Sequence, residues 1–255
     1  MPSGVQGAQS FSRSMNILQL ISDASVPMSR AELLKQCGLT RPTLYRIIAS
    51  LEAEGLIEAV GDNRYALGAR LVSLARSALA QTDVRRVAEP ILAGLRDQTG
   101  ETVHLAVRSG DELVYIDKME SREAVRMAST IGTRVPFHSS SVGKAFLAAM
   151  PMAEADELID RLEMAPVTSH TNTDRAKLRK TVQQARDQGY IRDDEENELS
   201  IICFGAPIYR GRDKPAASVS VSVPLYRLGD EARYSGPLRT AVEEISRKMG
   251  YDRNG

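Results

Sequence analysis

The sequence predicts an α+β protein in two parts: a small helical head carrying a β-hairpin, then a larger segment built on an antiparallel sheet. Three observations predict it. Up to Leu51 apolar residues recur at helical spacing, and two short strand-like runs then flank Gly61-Asp62-Asn63. Beyond Gly100 the apolar period drops to two, as in strands. The helical stretches of that second part come in blocks rather than alternating with single strands, which indicates segregated α+β packing.

Residues 1–11, with Gly, Ser and Gln prominent, read as a disordered tail. From Ser14, Met15, Leu18 and Ile21 share one helical face, with Ile17 and Leu20 beside it, and Ser22–Pro27 breaks the period. Ser29 caps a second short helix that has Glu32 at its start and Ala31, Leu34 and Cys37 inward. Gly38 ends it through a left-handed C-cap. Pro42 falls in the first turn of a third helix, where a missing N–H costs nothing, and Leu44, Ile47, Ile48 and Leu51 form its apolar stripe. After Gly55, Leu56–Val60 and Arg64–Leu67 pair across the turn as a wing.

Two short helices joined by a tight glycine turn form the helix-turn-helix pattern. Arg41, Thr43, Tyr45, Arg46 and Ser50 occupy the exposed face of the third helix, with Thr40 and Pro42 at its start, Arg30 ahead of it and Arg64 in the wing. Such a helix presents its N-terminal residues to base edges in the major groove while cations and hydroxyls hold phosphates. These nine residues are the candidate DNA contacts. The alternative is a three-helix packing module whose polar face is merely solvated.

The 255 residues hold 33 Lys+Arg and 33 Asp+Glu, a net charge of zero that seems to oppose nucleic-acid binding. The distribution answers the objection: residues 1–80 carry +2 and the remainder −2. So slight an excess means that one copy binds DNA weakly and that a dimer is expected. With 42% hydrophobic and 26% charged residues, the chain is neither disordered, collagen-like nor a disulfide scaffold. Cys37 and Cys203 form no metal-binding spacing, so no metal and no cofactor is expected. No signal-peptide pattern and no apolar run of spanning length is present, so a cytoplasmic protein without a membrane partner is expected.

Gly68–Ala80 reads as a helix with Leu71, Leu74, Ala75 and Ala78 apolar, and Asp83–Thr99 as another with Val84, Val87, Ile91 and Leu95 inward. This divides the chain into a winged helix-turn-helix domain over 12–68, a linker helix over 69–82 and a second domain over 83–255; a single continuous domain is the alternative. In the second part, strands are expected at Glu101–Arg108, Glu112–Met119, Val125–Ser129, Gly189–Glu195, Leu199–Tyr209 and Ala216–Pro224. Helices are expected at Val142–Met150, Ala153–Leu162, Asp174–Gln188 and Arg233–Met249.

Thr133–Lys144, TRVPFHSSSVGK, places three serines at a helix start, where unpaired N–H groups and the helix dipole suit an anion; a plain serine cap is the alternative. Gly143-Lys144 is not a P-loop, because His138 stands where its first glycine belongs and Ala145 replaces Ser/Thr. Asp193-Asp194-Glu195-Glu196 with Glu198 reads as a solvated strand edge. Cys203 lies in an apolar run that raises a thiol pKa; it is read as structural, with a Cys–His pair to His104 or His138 as the alternative. Ser220 and Ser222 share one strand face opposite Val219, Val221 and Val223, facing either a polar cavity or solvent. No credible set of nucleophile, base and orienting residue emerges.

The segments LTRPTLYRIIASLEAEGLIE and YALGARL resemble the DNA-binding half of the IclR family of bacterial transcription regulators. ETVHLAVRSGDELVYIDKME, GTRVPFHSSSVGKAFLA and GYIRDDEENELSIICFGAPI resemble that family's effector domain, so the likeness runs from about Ser12 to Tyr251. It implies a GAF-like effector domain, homodimers or homotetramers, and palindromic double-stranded DNA operators. It also implies an effector pocket with Met127, Val135 and Ile201 as apolar walls, Ser141 and Val142 offering backbone N–H groups to a carboxylate, and Asp193, Cys203, Ser220 and Ser222 on the polar side. The implied effector is a small anion such as a sugar, keto or aromatic acid, and the protein a repressor rather than an enzyme. The alternatives are a Cys203-dependent enzyme with a DNA-targeting module and a DNA-binding protein without a ligand. Two departures bear on this: Pro42 stands where relatives often have a polar residue, and Ser200 replaces a common glycine before the Cys203 strand.

Overall fold

The computed structural model describes residues 9–61, 63–80, 83–123, 127–211 and 214–251. The chain divides into two compact units, Met1–Gln81 and Thr82–Gly255.

In the first unit, α1 (Gln9–Asp23), β1 (Met28–Ser29), α2 (Arg30–Cys37), α3 (Arg41–Ala53), β2 (Ile57–Val60), β3 (Arg64–Leu67) and α4 (Ala69–Ala80) follow in order. Helix α1 opens at Gln9, inside the span expected to be a tail; residues 1–8 lie outside the described residues. Its buried face is Ile17, Leu18 and Ile21, so Met15, expected inward, stands exposed. In α2 the inward residue is Leu33 rather than Ala31; Leu34 and Cys37 only flank the core. The reason is the cap. Ser29 and Glu32 form a reciprocal capping box, which starts the helix at Arg30 and sets its rotation. Gly38 adopts φ +64 as the left-handed cap, and Leu44, Ile47, Ile48 and Leu51 are buried from α3 as their spacing requires. The wing is a three-stranded sheet in the order β1-β3-β2, with Tyr65 of β3 paired to Met28 of β1.

The second unit contains α5 (Asp83–Thr99), β4 (Thr102–Ser109), β5 (Glu112–Met119), β6 (Arg134–Pro136), α6 (Ser141–Ala149), α7 (Met152–Arg161), α8 (Arg175–Gln188), β7 (Ile191–Asp194), β8 (Ile201–Arg210), β9 (Lys214–Pro224) and α9 (Ala232–Lys248). Six strands form one antiparallel sheet in the order β6-β5-β4-β9-β8-β7, as the α+β expectation requires. The third strand in sequence is Arg134–Pro136. Of the expected Val125–Ser129 strand, residues 125–126 lie outside the described residues and Met127–Ser129 is not extended into the sheet. The buried face of α5 is Val84, Ala88, Leu92, Leu95 and Thr99, which leaves Val87 and Ile91 half-buried at its sides.

Register decides which face carries polar groups. His104 of β4 pairs with Ser220 of β9, which pairs in turn with Gly205 of β8, and Cys203 pairs with Ser222. The alternate row holds Val221 and Phe204, and Phe204 stacks on Tyr234 of α9 at 5.4 Å. The valines therefore pack under α9, while His104, Ser220, Ser222 and Cys203 face the layer of α6. At Gly205 a Cβ would stand 2.4 Å from the Ser141 carbonyl oxygen, so only glycine lets α6 begin directly on the sheet. Among the described residues no helix is long and apolar enough to cross a membrane.

Candidate nucleic-acid interface and ligand cavity

The exposed face of α3 is built by subtraction. Its apolar stripe is consumed by the core, so Arg41, Pro42, Tyr45, Arg46 and Ser50 face solvent, with Thr43 half-buried. Thr40 is the N-cap but makes no side-chain cap bond; its hydroxyl lies 2.9 Å from that of Thr43. The Ser50 hydroxyl donates back to the Arg46 carbonyl at 2.9 Å. Arg41, Arg46 and Lys35 have no acidic partner among the described residues, and Lys35 lies with Arg41 and Tyr45 along one shallow groove. Lys35 is a residue that helical patterning misses, because α2 shows it only as a polar position.

Two of the nine candidate contacts are already occupied. The Arg30 guanidinium lies 5.2 Å from the Tyr45 ring and 5.4 Å from the Tyr65 ring, and its Nε donates to the Tyr65 hydroxyl at 2.7 Å. It works as a clamp holding Tyr45 upright. Arg64 donates to the Pro27 carbonyl at 2.8 Å and pairs with Glu32 at 3.4 Å, which ties the wing to the start of α2.

In the second unit a cavity of about 260 Å³ opens at the start of α6. Met127, Val135, Ser141, Asp193, Ile201, Cys203 and Ser222 all reach it, as the resemblance implied. Val142 and Ser220 do not line it. Val142 is turned into the core under α6, and Ser220 sits in the row of Gly205, beneath the backbone of Ser141. The cavity also takes His104, Tyr115, Ser129, Thr133 and Ser140 from other elements, together with Asn197 and Glu198. Tyr115 is hidden in a strand pattern that gives no sign of which face is covered, and the sequence names His104 only as an alternative partner of Cys203.

The acidic run is divided: Asp193 and Glu198 line this cavity and Glu196 pairs with Lys144, while Asp194 stays exposed on the strand edge. Asp193 is 1% exposed and accepts from the Glu196 amide at 2.9 Å. Lys144, buried in α6, lies 2.5 Å from Glu196, whose other carboxylate oxygen accepts from the Asn172 amide at 3.0 Å. Glu195 and Ser200 hold φ of +58 and +64, the region glycine prefers, so the loop makes its two bends without the glycine that Ser200 replaces. Burial pushes Asp193 up to about 7, against the pull of Lys144.

The two groups of the cavity that could act as nucleophile and base are both held neutral. Burial pushes the Cys203 thiol up to about 12, so it holds its proton. Burial, followed by the charge of Lys118, holds His104 down at about 3, a neutral imidazole. The two do not pair directly: Cys203 donates to Ser222 Oγ at 3.3 Å, and Ser222 Oγ lies 3.4 Å from His104 Nδ1. At the helix start, Ser140 caps α6 by accepting from the Gly143 amide at 3.1 Å, so the serine cap exists and leaves the Ser141 and Val142 amides as open helix-start donors.

Residues 10–61 match the model of the IclR helix-turn-helix domain, and residues 76–247 that of the bacterial transcriptional regulator IclR C-terminal domain. The chain belongs to the IclR family. It is 32% identical over 246 residues to the HTH-type transcriptional regulator XynR of Escherichia coli, covering 95% of this chain and 98% of that protein. It is 30% identical over 247 residues to the transcriptional repressor IclR of Escherichia coli, covering 95% and 90%. A solved IclR homologue from Microbacterium hydrocarbonoxydans, complexed with 4-hydroxybenzoate, shares 25% identity at a TM-score of 0.79 over 94% of this chain and 99% of that one. An IclR-family chain carries a DNA-binding head and a regulatory C-terminal domain, which are the two units described above.

Proposed function

We propose that this protein is a cytoplasmic transcriptional repressor that reads a palindromic operator as a dimer or tetramer and answers to a small carboxylate bound in the second-unit cavity. The observation that carries the reading is the coexistence of α3 cations that have no acidic partner among the described residues with an open cavity of mixed polar and apolar lining, whose thiol and imidazole are both held in their unreactive forms. One head offers few cations, so affinity comes from joining heads on one operator. The exposed apolar residues Val72 and Leu74 of α4, which has no buried residue among those described, support assembly through that helix.

Ligand control is a population shift: an effector that prefers one arrangement of the second units changes operator affinity by its differential binding. The homologue that carries 4-hydroxybenzoate supports a small organic acid, and the open N-terminus of α6 supports the carboxylate. The disarmed thiol supports a sensor over a Cys203-dependent enzyme. Fluorescence anisotropy with DNA flanking the protein's own coding region tests the proposal. Sequence-selective, salt-sensitive binding that a carboxylate alters is expected; binding with neither property overturns the regulator reading. In a thermal-shift screen of carboxylates, a ligand at 100 times its Kd adds about 2.7 kcal/mol of stability. Cys203→Ser is expected to change effector response without removing DNA binding.

A further inference from the structure

One cation of the head is held differently from its neighbours. Among the described residues Lys35 and Arg41 have no acidic partner, and both line the same groove as Tyr45. Arg30 lines that groove too, yet its Nε donates to the Tyr65 hydroxyl at 2.7 Å and its Nη2 donates to the same oxygen. Glu32, the acid nearest to it in sequence, is taken up by Ser29 and Arg64.

These contacts form a chain from the core of the head to the exposed face of α3. Tyr65 is 1% exposed, and β3 holds it between Met28 of β1 and Ala59 of β2. Its hydroxyl fixes the Arg30 guanidinium, whose central carbon lies 5.4 Å from the Tyr65 ring centre and 5.2 Å from that of Tyr45. The capping box fixes the other end of Arg30, because it starts α2 at that residue. Tyr45 stands one turn into α3, on the face of Arg41. It is half exposed, and its hydroxyl has no hydrogen-bond partner among the described residues.

An exposed aromatic side chain on a helix divides its time between rotamers that point in different directions. A cation held against its ring favours one of them. The first turns of a recognition helix are where side chains meet base edges. A contact there discriminates best when the side chain is already in place, because ordering it on binding offsets the gain. A phosphate contact carries no sequence information. Arg30 therefore has the geometry of a support for base reading, whereas Lys35 and Arg41 have that of phosphate contacts.

Resting on the DNA-binding reading of the head, we propose that Arg30 is a positioning residue for operator selectivity: anchored by Tyr65, it holds Tyr45 in the orientation that reads a base in each half-site. Its guanidinium acts on selectivity through the ring and not on affinity through a phosphate. The wing shares in base reading without touching a base, since the anchor belongs to its central strand, β3.

The test is a selection from a randomised duplex pool with the full chain, followed by anisotropy titrations of the enriched duplex and its single-base variants at several salt concentrations. Tyr45→Ala is expected to lose at least about fivefold of discrimination at one base position. Arg30→Met keeps the aliphatic stem, and Tyr65→Phe keeps both the core ring and the Arg30 charge. Each is expected to lose discrimination at that same position with the salt slope unchanged. Arg30→Met combined with Tyr45→Ala is expected to lose no more than Tyr45→Ala alone. Uniform weakening of Arg30→Met across sequences, with a slope lowered by about 1, makes Arg30 a phosphate contact and overturns the proposal. Discrimination that survives in folded Tyr65→Phe, or an additive loss in the double variant, overturns it as well. Melting curves separate lost positioning from lost fold; if Arg30→Met unfolds the head, Tyr65→Phe decides alone. A wild type that enriches no sequence overturns the DNA-reading role and this inference with it, whereas enrichment with unaltered variants overturns this inference only.

Discussion

Lys144 places its ammonium 2.5 Å from Glu196 Oε1 although its side chain is 1% exposed. This pair joins the helix that begins at the cavity to the loop that rims it. Removing one partner leaves a buried charge, whereas removing both need cost little. Glu196→Gln is expected to destabilise the second unit by about 3 kcal/mol. Lys144→Met combined with Glu196→Leu is expected to recover most of that loss. Urea unfolding, read as the midpoint at unchanged m-value, checks both.

Arg46 of α3 has no acidic partner among the described residues, while Arg64 is held by the Pro27 carbonyl and Glu32. Arg46→Ala is therefore expected to weaken operator binding and to reduce the salt slope by about 1 with no change in Tm. Arg64→Ala is expected to lower the stability of the head and to affect the salt slope less. Anisotropy titrations at several salt concentrations, with a melting curve for each variant, separate the two.

Gly205 admits the start of α6 onto the sheet. Gly205→Ala brings a Cβ to 2.4 Å from the Ser141 carbonyl oxygen, which is backbone and cannot swing aside. A cost of about 1–3 kcal/mol is expected from the forced shift of α6. Ligand binding should fall further than stability, because the shifted segment carries Ser141. Calorimetric titration of the variant at a temperature where it is fully folded checks this.

His104 and Asp193 impose opposite pH dependences. His104 is held at about 3 by burial, so between its usual 6.5 and about 3 the unfolded chain takes up a proton that the folded chain refuses. Its contribution is present above pH 6.5 and is lost as pH falls, at up to about 1.4 kcal/mol per pH unit. Asp193 keeps its proton to about 7 in the fold and releases it near 3.8 when unfolded. Its contribution therefore falls as pH rises from 3.8 to 7. Asp193→Asn should gain stability relative to wild type across that rise, and His104→Phe should lose less than wild type on acidification below pH 6.5. Urea unfolding over a pH series decides both.

The head was legible almost residue by residue because its signals are local. Gly38, Pro42 and the stripe from Leu44 to Leu51 act within one or two helical turns. Errors arose where packing or a cap, rather than hydrophobic spacing, set which face turned inward. Leu33 replaced Ala31 as the inward residue of α2 because the capping box fixes the turn, and Met15 stayed outside because α1 packs on Ile17 and Ile21. In the cavity, Asp193, Cys203 and Ser222 could be named in advance from family likeness, and His104 only as an alternative partner of Cys203; Tyr115 and Asn197 could not. A strand pattern shows two faces without saying what covers each.

The sequence by itself determined the order and type of the elements, the polar face of α3 and the alternation of serine and valine along β9, because each depends on neighbours a few residues away. Tertiary structure decided which cations are tied down and which serine reaches the ligand space. It also decided that Glu196, in an acidic run written like a solvated edge, folds back onto Lys144. Sheet register and the close approach at Gly205 bring residues together across 50 to 120 positions, and no local pattern encodes those distances.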